Sequence, residues 1–251
     1  PLNDMQIIPG SGQDYAHVSQ TGFFYTVNGS ENETVLFCGD RWAEFAGNGL
    51  GYNQWVPLSF VGEVPYFNSL HAWNLDEQTG NWTVATTNNY VKNGSFESDR
   101  RHIPSNNKPV QEQLLGWHTQ IIKGNTISTT NSSSPVLNYF NTREDRKKVV
   151  GEKSLNISDD IPFERRIIQD IVSTVFVVLP DGNYTLSAKI KNTPGFKQLL
   201  FYANSGGQTF EIALDAEHPE WIPVTLESVK VRHGKVTIGI YAKGQAGASA
   251  Q

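Results

Sequence analysis

Cysteine is almost missing from this 251-residue chain, and the one that occurs, Cys38, excludes an internal disulfide and any cysteine-cluster metal site. Its neighbours Val35, Leu36 and Phe37 predict a buried strand residue rather than a nucleophile. Charge is sparse at 18% and carries no basic excess. Twenty Lys and Arg stand against 25 Asp and Glu, a formal net charge of -5. Binding to nucleic acid through phosphate neutralisation is therefore not expected. Long apolar runs are lacking too. The longest, Ile171 to Leu179, is about half of the roughly 20 residues a membrane span needs, and it contains Ser173 and Thr174. An initiator Met is absent at Pro1, and the last residues, Gly247 to Gln251, follow directly on a strand-like run. The expectation is an excerpt of a longer protein.

Helix signals are nearly absent as well. What is there is a series of period-two runs rich in Val, Ile, Phe, Tyr and Thr, about 8–14 residues apart and separated by Gly, Asn, Asp and Pro. That spacing predicts an all-β chain. In a first block the runs are Gly22–Val27, Thr34–Asp40, Gln54–Phe60 and Val64–Trp73, a four-stranded antiparallel sheet of the size of one propeller blade. Asn28-Gly29 favours the positive φ values of a hairpin turn. The polar stretch Thr86-Thr87-Asn88-Asn89 reads as a linker. The second block has runs at Gly116–Ile122, Glu152–Ile157, Arg166–Leu179, Gly182–Lys191, Gln198–Ala203, Thr209–Leu214, Ile222–Val231 and Val236–Ala242, a number that suits a jelly-roll sandwich. Residues 98–113 and 123–150 read as long polar surface loops. The expected division is 1–85 and 88–251.

Catalytic constellations are missing. The six His are scattered, and there is no His-Glu-x-x-His, Walker loop or Gly-x-Ser-x-Gly elbow. Asp159-Asp160 and Glu31/Glu33 are paired acids in turns, where solvated surface is the plain reading. Seven Asn-x-Ser/Thr sequons occur in a chain so rich in these residues that chance accounts for most. Aromatics beside polar groups are plentiful: Trp42, Tyr52, Trp55, Tyr66, Phe67, Trp73 and Trp82 lie in the first block. Such sets suit sugars, whose C–H faces stack on rings while amides, carboxylates and Arg bind hydroxyls. Packing between blades is the competing account of each Trp.

Three phrases carry a resemblance. His17-Val18-Ser19-Gln20-Thr21-Gly22-Phe23, Val35-Leu36-Phe37-Cys38-Gly39-Asp40-Arg41-Trp42 and Tyr52-Asn53-Gln54-Trp55-Val56-Pro57-Leu58 resemble the end of a glycoside hydrolase family 43 propeller, in its exo-β-1,3-galactanase-like branch. Gly22 departs from that pattern, which has a second hydroxyl residue there, and Gln54 stands where Val is more usual. The resemblance implies a last propeller blade, with substrate-binding candidates Asp40, Arg41, Trp42, Tyr52 and Trp55. It also implies that Gln20 stands in place of a catalytic base, positioning water or passing a proton, since an amide is itself a poor base. Five blades need upwards of roughly 200 residues, so the blades with the catalytic carboxylates would lie upstream and the chain alone would be inactive.

Residues 90–251 resemble a galactose-binding-like carbohydrate-binding β-sandwich, through Asn93-Gly94-Ser95-Phe96-Glu97, Gly116-Trp117, Leu179 to Ala188 and Val236 to Ile240. The resemblance implies a last strand that this chain lacks, a structural Ca²⁺ near Glu97 and no required cofactor. Its loops offer Trp117, His118, Tyr139 and Phe140 as sugar contacts. The implied partner is a plant-type galactan or arabinogalactan, and the implied setting is extracellular or periplasmic. The alternative is a non-catalytic glycan-binding or adhesion protein.

Overall fold

The computed structural model describes residues 19–41, 52–96, 114–127 and 137–251; the side chains of Arg41, Tyr52 and Asn138 lie outside that description. Among the described residues there is no α-helix, and the chain is all-β. It divides into two compact units, Pro1–Asn93 with Thr174–Val178, and Gly94–Ser173 with Leu179–Gln251.

In the first unit, β1 (Gln20–Asn28), β2 (Glu33–Arg41), β3 (Tyr52–Val61) and β4 (Val64–Phe67) form an antiparallel sheet in the order β1-β2-β3-β4. Phe37, Val56 and Leu58 make the core of one sheet face, with Val35 and Phe67 against them. Phe37 meets Phe67 edge-on at 4.8 Å. Burial of each such side chain contributes about 1.5–3 kcal/mol. Gly39 lies beside Phe37 because a Cβ there would come within 2.5 Å of that ring. The expected strand Val64–Trp73 is shorter: Asn68 ends it by donating its amide to the Pro57 carbonyl (2.9 Å) and the Ser59 hydroxyl (2.8 Å). The Asn88 side-chain carbonyl then accepts the His71 and Ala72 N–H groups. After that turn a separate hairpin, β5 (Trp73–Leu75) and β6 (Trp82–Val84), is formed.

The second unit holds two sheets. β10 (Ile157–Ser158), β17 (Ser249–Ala250), β12 (Gly182–Asn192) and β15 (His218–Val231) form one, in that order. β14 (Gln208–Ala213), β13 (Phe196–Ser205), β16 (Lys235–Gly244), β11 (Phe163–Val172) and β7 (His118–Lys123) form the other. Alternate residues of each strand point inward, so Ile167, Leu199, Ala203, Ile238 and Ala242 from the second sheet and Ile190, Val224 and Leu226 from the first are buried, and a bulge in β15 brings Val229 to the same side. The run Arg166–Leu179 corrects to a strand ending at Val172. Beyond it, Ser173 accepts the Leu179 N–H (2.8 Å), and Thr174 Oγ1 accepts the Val177 N–H (2.9 Å). The loop expected at 123–150 contains β8 (Asn138–Phe140), paired with β9 (Lys153–Leu155), and a 3₁₀ turn at Asp145–Lys147.

A polar knot lies under this sandwich. The Asp159 and Arg165 side chains are fully buried and paired at 2.5 Å. Asp159 also accepts the Asn125 backbone N–H (2.9 Å) and side-chain amide (2.8 Å), and the guanidinium lies over the Phe163 ring at 4.6 Å.

Candidate functional site

Strand register assembles a site on the sheet face opposite the Phe37 core. Asp40 pairs with Gln20 on one side and Asn53 on the other, and Cys38 pairs with Phe23 and Trp55. Directly paired residues, and those two apart on a strand, share a face. Gln20, Asp40 and Asn53 therefore form one polar row, and Phe23, Cys38 and Trp55 the next.

One residue makes this arrangement possible. The register slips between Thr21 and Phe23, so Gly22 is an extra residue in β1. Without the bulge, alternation would put Gln20 and Phe23 on opposite faces. A Cβ at Gly22 would sit 3.0 Å from the Cys38 carbonyl oxygen and 4.0 Å from Asp40 Oδ2. A hydroxyl residue at this position would press on the strand carrying Asp40.

Cys38 separates two aromatics that nonetheless meet. Phe23 and Trp55 flank it on β1 and β3, and their rings stand edge to face at 5.9 Å. The small thiol leaves room for them to close over it, which is why Cys38 is 1% exposed while Phe23 and Trp55 are 52% and 46% exposed. Burial pushes the thiol above its usual range, against a smaller lowering by a backbone hydrogen bond at Tyr25. The Trp73 indole N–H donates to the Trp55 carbonyl at 3.1 Å and anchors that strand. Two exposed rings thus stand beside two amides and a carboxylate, the composition a sugar site requires. Among the described residues of the four strands, Asp40 is the sole carboxylate the register puts on this face.

Arg41 pairs with Tyr52 one step beyond the Asp40–Asn53 pair, and Trp42 lies outside the described residues. Asn53 and Phe23 are the members that sequence reasoning missed. Phe23 was visible inside the matching phrase, but only the bulge places it beside Gln20.

The second unit separates its four candidates. Tyr139 and Phe140 lie on the β8–β9 ladder, 50% and 37% exposed. Phe140 receives the Lys153 ammonium 5.7 Å from its ring centre, and Tyr139 is turned to solvent. The neighbouring Asn141 is buried, its amide clamping the Lys153 carbonyl at 2.9 Å. Trp117 is half-buried against Phe96, ring centres 5.5 Å apart. His118 is exposed and opens β7, paired with Ile168 of the five-stranded sheet. Glu97 lies outside the described residues. Among the described residues no three His, Cys, Asp or Glu side chains gather as a metal site.

A scan against protein-family models and a search of curated proteins both give no match. Among solved structures, the carbohydrate-binding module TmCBM61, in complex with β-1,4-galactotriose, is similar at 17% identity and a TM-score of 0.41, over 55% of this chain and 85% of that one. An exo-β-1,3-galactanase from Phanerochaete chrysosporium, with β-1,3-galactotriose, is similar at 17% identity and a TM-score of 0.30. The match takes in 100% of this chain, which spans 47% of the galactanase. A structure from work on promiscuous carbohydrate-binding modules of the β-sandwich superfamily is similar at 12% identity and a TM-score of 0.32, over 93% and 95% of the two chains. At these values the all-β class rests on the strands themselves.

Proposed function

We propose that this chain is a glycan-binding part of a galactan-directed glycoside hydrolase of the family 43 kind, working outside the cell or in the periplasm. The observation that carries this reading is the shared face of Gln20, Asp40 and Asn53 beside the exposed Phe23–Trp55 pair. Rings take the C–H face of a sugar, while the amides and the carboxylate bind its hydroxyls. Glycoside hydrolysis needs two opposed carboxyl groups, and among the described residues of the four strands this face supplies one. We read the chain by itself as a binder, and in a longer parent Gln20 would orient water at the reacting sugar. A glycan-binding or adhesion protein without catalysis is the alternative.

Titration with β-1,3- and β-1,4-galactotriose tests this. Each polar contact nets about 0.5–1.5 kcal/mol after exchange with water, so the expected Kd lies between about 10 µM and 1 mM. Trp55→Ala should weaken binding by at least about fivefold, near 1 kcal/mol, with no change in far-UV circular dichroism. Binding that is indifferent to Trp55→Ala removes this face from the site. Sugar release from β-1,3-galactan by the purified chain contradicts the binder reading.

A further inference from the structure

We propose that the outer face of the five-stranded sheet in the second unit is a separate binding surface for a neutral oligosaccharide, centred on the Tyr202 hydroxyl. This deepens the glycan-binding reading and rests on it. Register lines up Glu211, Tyr202, Gly239, Ile168 and His118 in one row across all five strands. The row on one side runs Leu200, Tyr241, Arg166, Gln120, and that on the other runs Asn204, Thr237, Asp170.

Tyr202 is anomalous on this face. Arg166, Asp170, Asn204, Glu211, His118 and Gln120 are exposed, yet Tyr202 is only 8% exposed. Gly239, its cross-strand partner, explains the burial: a Cβ there would come within 3.0 Å of the Tyr202 hydroxyl and 3.1 Å of Cζ. The phenol lies down over the glycine, carrying its hydroxyl across β16 toward β11. Burial pushes the phenol above its usual range, while the charges of Arg166 and Asp170 act on it in opposite directions. Despite this setting the hydroxyl makes no hydrogen bond within the described residues. Its oxygen is not sealed from solvent, so water or a ligand hydroxyl can reach it.

The groups around it are held in place. Arg166 lies over the Tyr241 ring at 5.5 Å, the Tyr241 hydroxyl donates to Glu164 at 2.8 Å, and Glu164 pairs with Lys243 at 2.8 Å. Asp170 accepts the Thr237 hydroxyl at 2.5 Å. Arg166 and Asp170 stand four residues apart on one strand face, about 13–14 Å between their Cα atoms, with the Ile168 level between them. A guanidinium donor, a carboxylate acceptor and a phenol that does both are thus spread across one face, on strands rather than loops. The mixed charges suit neither a phosphate, which Asp170 and Glu211 repel, nor a cation, which Arg166 repels. Vicinal hydroxyls of a neutral sugar donate and accept in turn, and the half-buried Leu200 and Ile168 meet its C–H groups.

The experiment is titration of the full chain with β-1,3- and β-1,4-galactotriose by calorimetry and by amide chemical-shift mapping, with inorganic phosphate as a parallel probe. Wild type should show shift changes on β11, β13 and β16. Tyr202→Phe, which removes the hydroxyl alone, and the exposed Arg166→Gln should each weaken that set at least fivefold. Responses at Trp55 and Tyr139 should stay as in wild type. If wild type binds and neither variant changes the β11, β13 and β16 response, this surface is refuted while the glycan-binding reading stands. If wild type binds neither sugar at millimolar concentration, both fall. Phosphate producing the same shifts refutes the neutral-ligand assignment.

Discussion

Asp159 shows how one side chain can carry much of the local stability. Burial raises its pKa, but the N–H groups of Asn125 and Ile161 and the Arg165 guanidinium outweigh that and hold it below the ordinary carboxylate range. Arg165 has no escape to water: its Nη1 donates to the Ser158 carbonyl at 3.2 Å, and its Nε is buried without a partner. Removing the counter-charge strands a buried cation, which typically costs about 3–5 kcal/mol. Asp159→Asn should therefore lower stability in urea by that amount, whereas Asp160→Asn, beside it on the surface, should leave it within about 0.5 kcal/mol. Equal midpoints for the two would show that the buried pair contributes nothing. The sequence showed Asp159-Asp160 as surface acids in a turn. Nothing local distinguishes them, because what buries Asp159 is Arg165 and Asn125, reached only through the fold. A similar logic removes Asn93 from the glycosylation sequons, since its side chain is fully buried.

Turns decide the first unit as much as strands do. The β1–β2 turn docks on the turn before β6: the Ser30 N–H donates to the Gln78 carbonyl (2.8 Å), and those of Glu31 and Asn32 to that of Thr79 (3.1 and 2.9 Å). Thr34 adds its hydroxyl to the Gly80 carbonyl at 2.7 Å. Gly29 and Gly80 stand where these backbones touch, and a methyl at either would overlap the facing chain. Gly80 also has φ +75°, which other residues adopt at a cost. Gly80→Ala should lose upwards of about 2 kcal/mol, against little change for Gly62→Ala beyond its own φ of +60°, because no atom lies within 4 Å of that position. A thermal melt of the two variants decides it. The strands of both units were legible because period two survives in sequence. The β8 strand was not, being three residues inside a polar stretch whose pairing with β9 is set by tertiary context. The bulge at Gly22 was equally hidden, since a glycine in a strand announces an irregularity but not its direction. Gln20, Asp40 and Trp55 could thus be named from the sequence, while their common face could not.

At the scale of the molecule, the unusual carboxylates are unevenly distributed. Asp145, like Asp159, belongs to the second unit. Burial pushes Asp145 up, but Lys191 (2.7 Å), the Thr142 hydroxyl (2.7 Å) and the Trp221 indole N–H (2.7 Å) overcome it and hold it far below its usual range. Through these bonds the 3₁₀ turn is tied to β12 and β15. A carboxylate whose folded pKa is depressed contributes stability that is fully present above its unfolded value, about 3.9 for Asp. That stability is lost as pH falls toward the folded value. In the first unit the one depressed Asp among the described residues is Asp76, lowered chiefly by the Thr79 backbone N–H in an exposed turn, where little stability is at stake. The second unit should accordingly hold constant stability from neutral pH down to about pH 5 and then lose it steeply toward pH 2, while the first unit changes less. Amide-resolved hydrogen exchange at pH 6, 4 and 2.5, corrected for intrinsic rates, reads the two units apart in the intact chain. Lys191→Met should flatten the acid limb of the second unit by removing one of the groups that depress Asp145, and Asp145→Asn should remove that carboxylate's share entirely. Loss of protection first in β1 to β4, or an acid limb untouched by Asp145→Asn, would locate the acid sensitivity elsewhere.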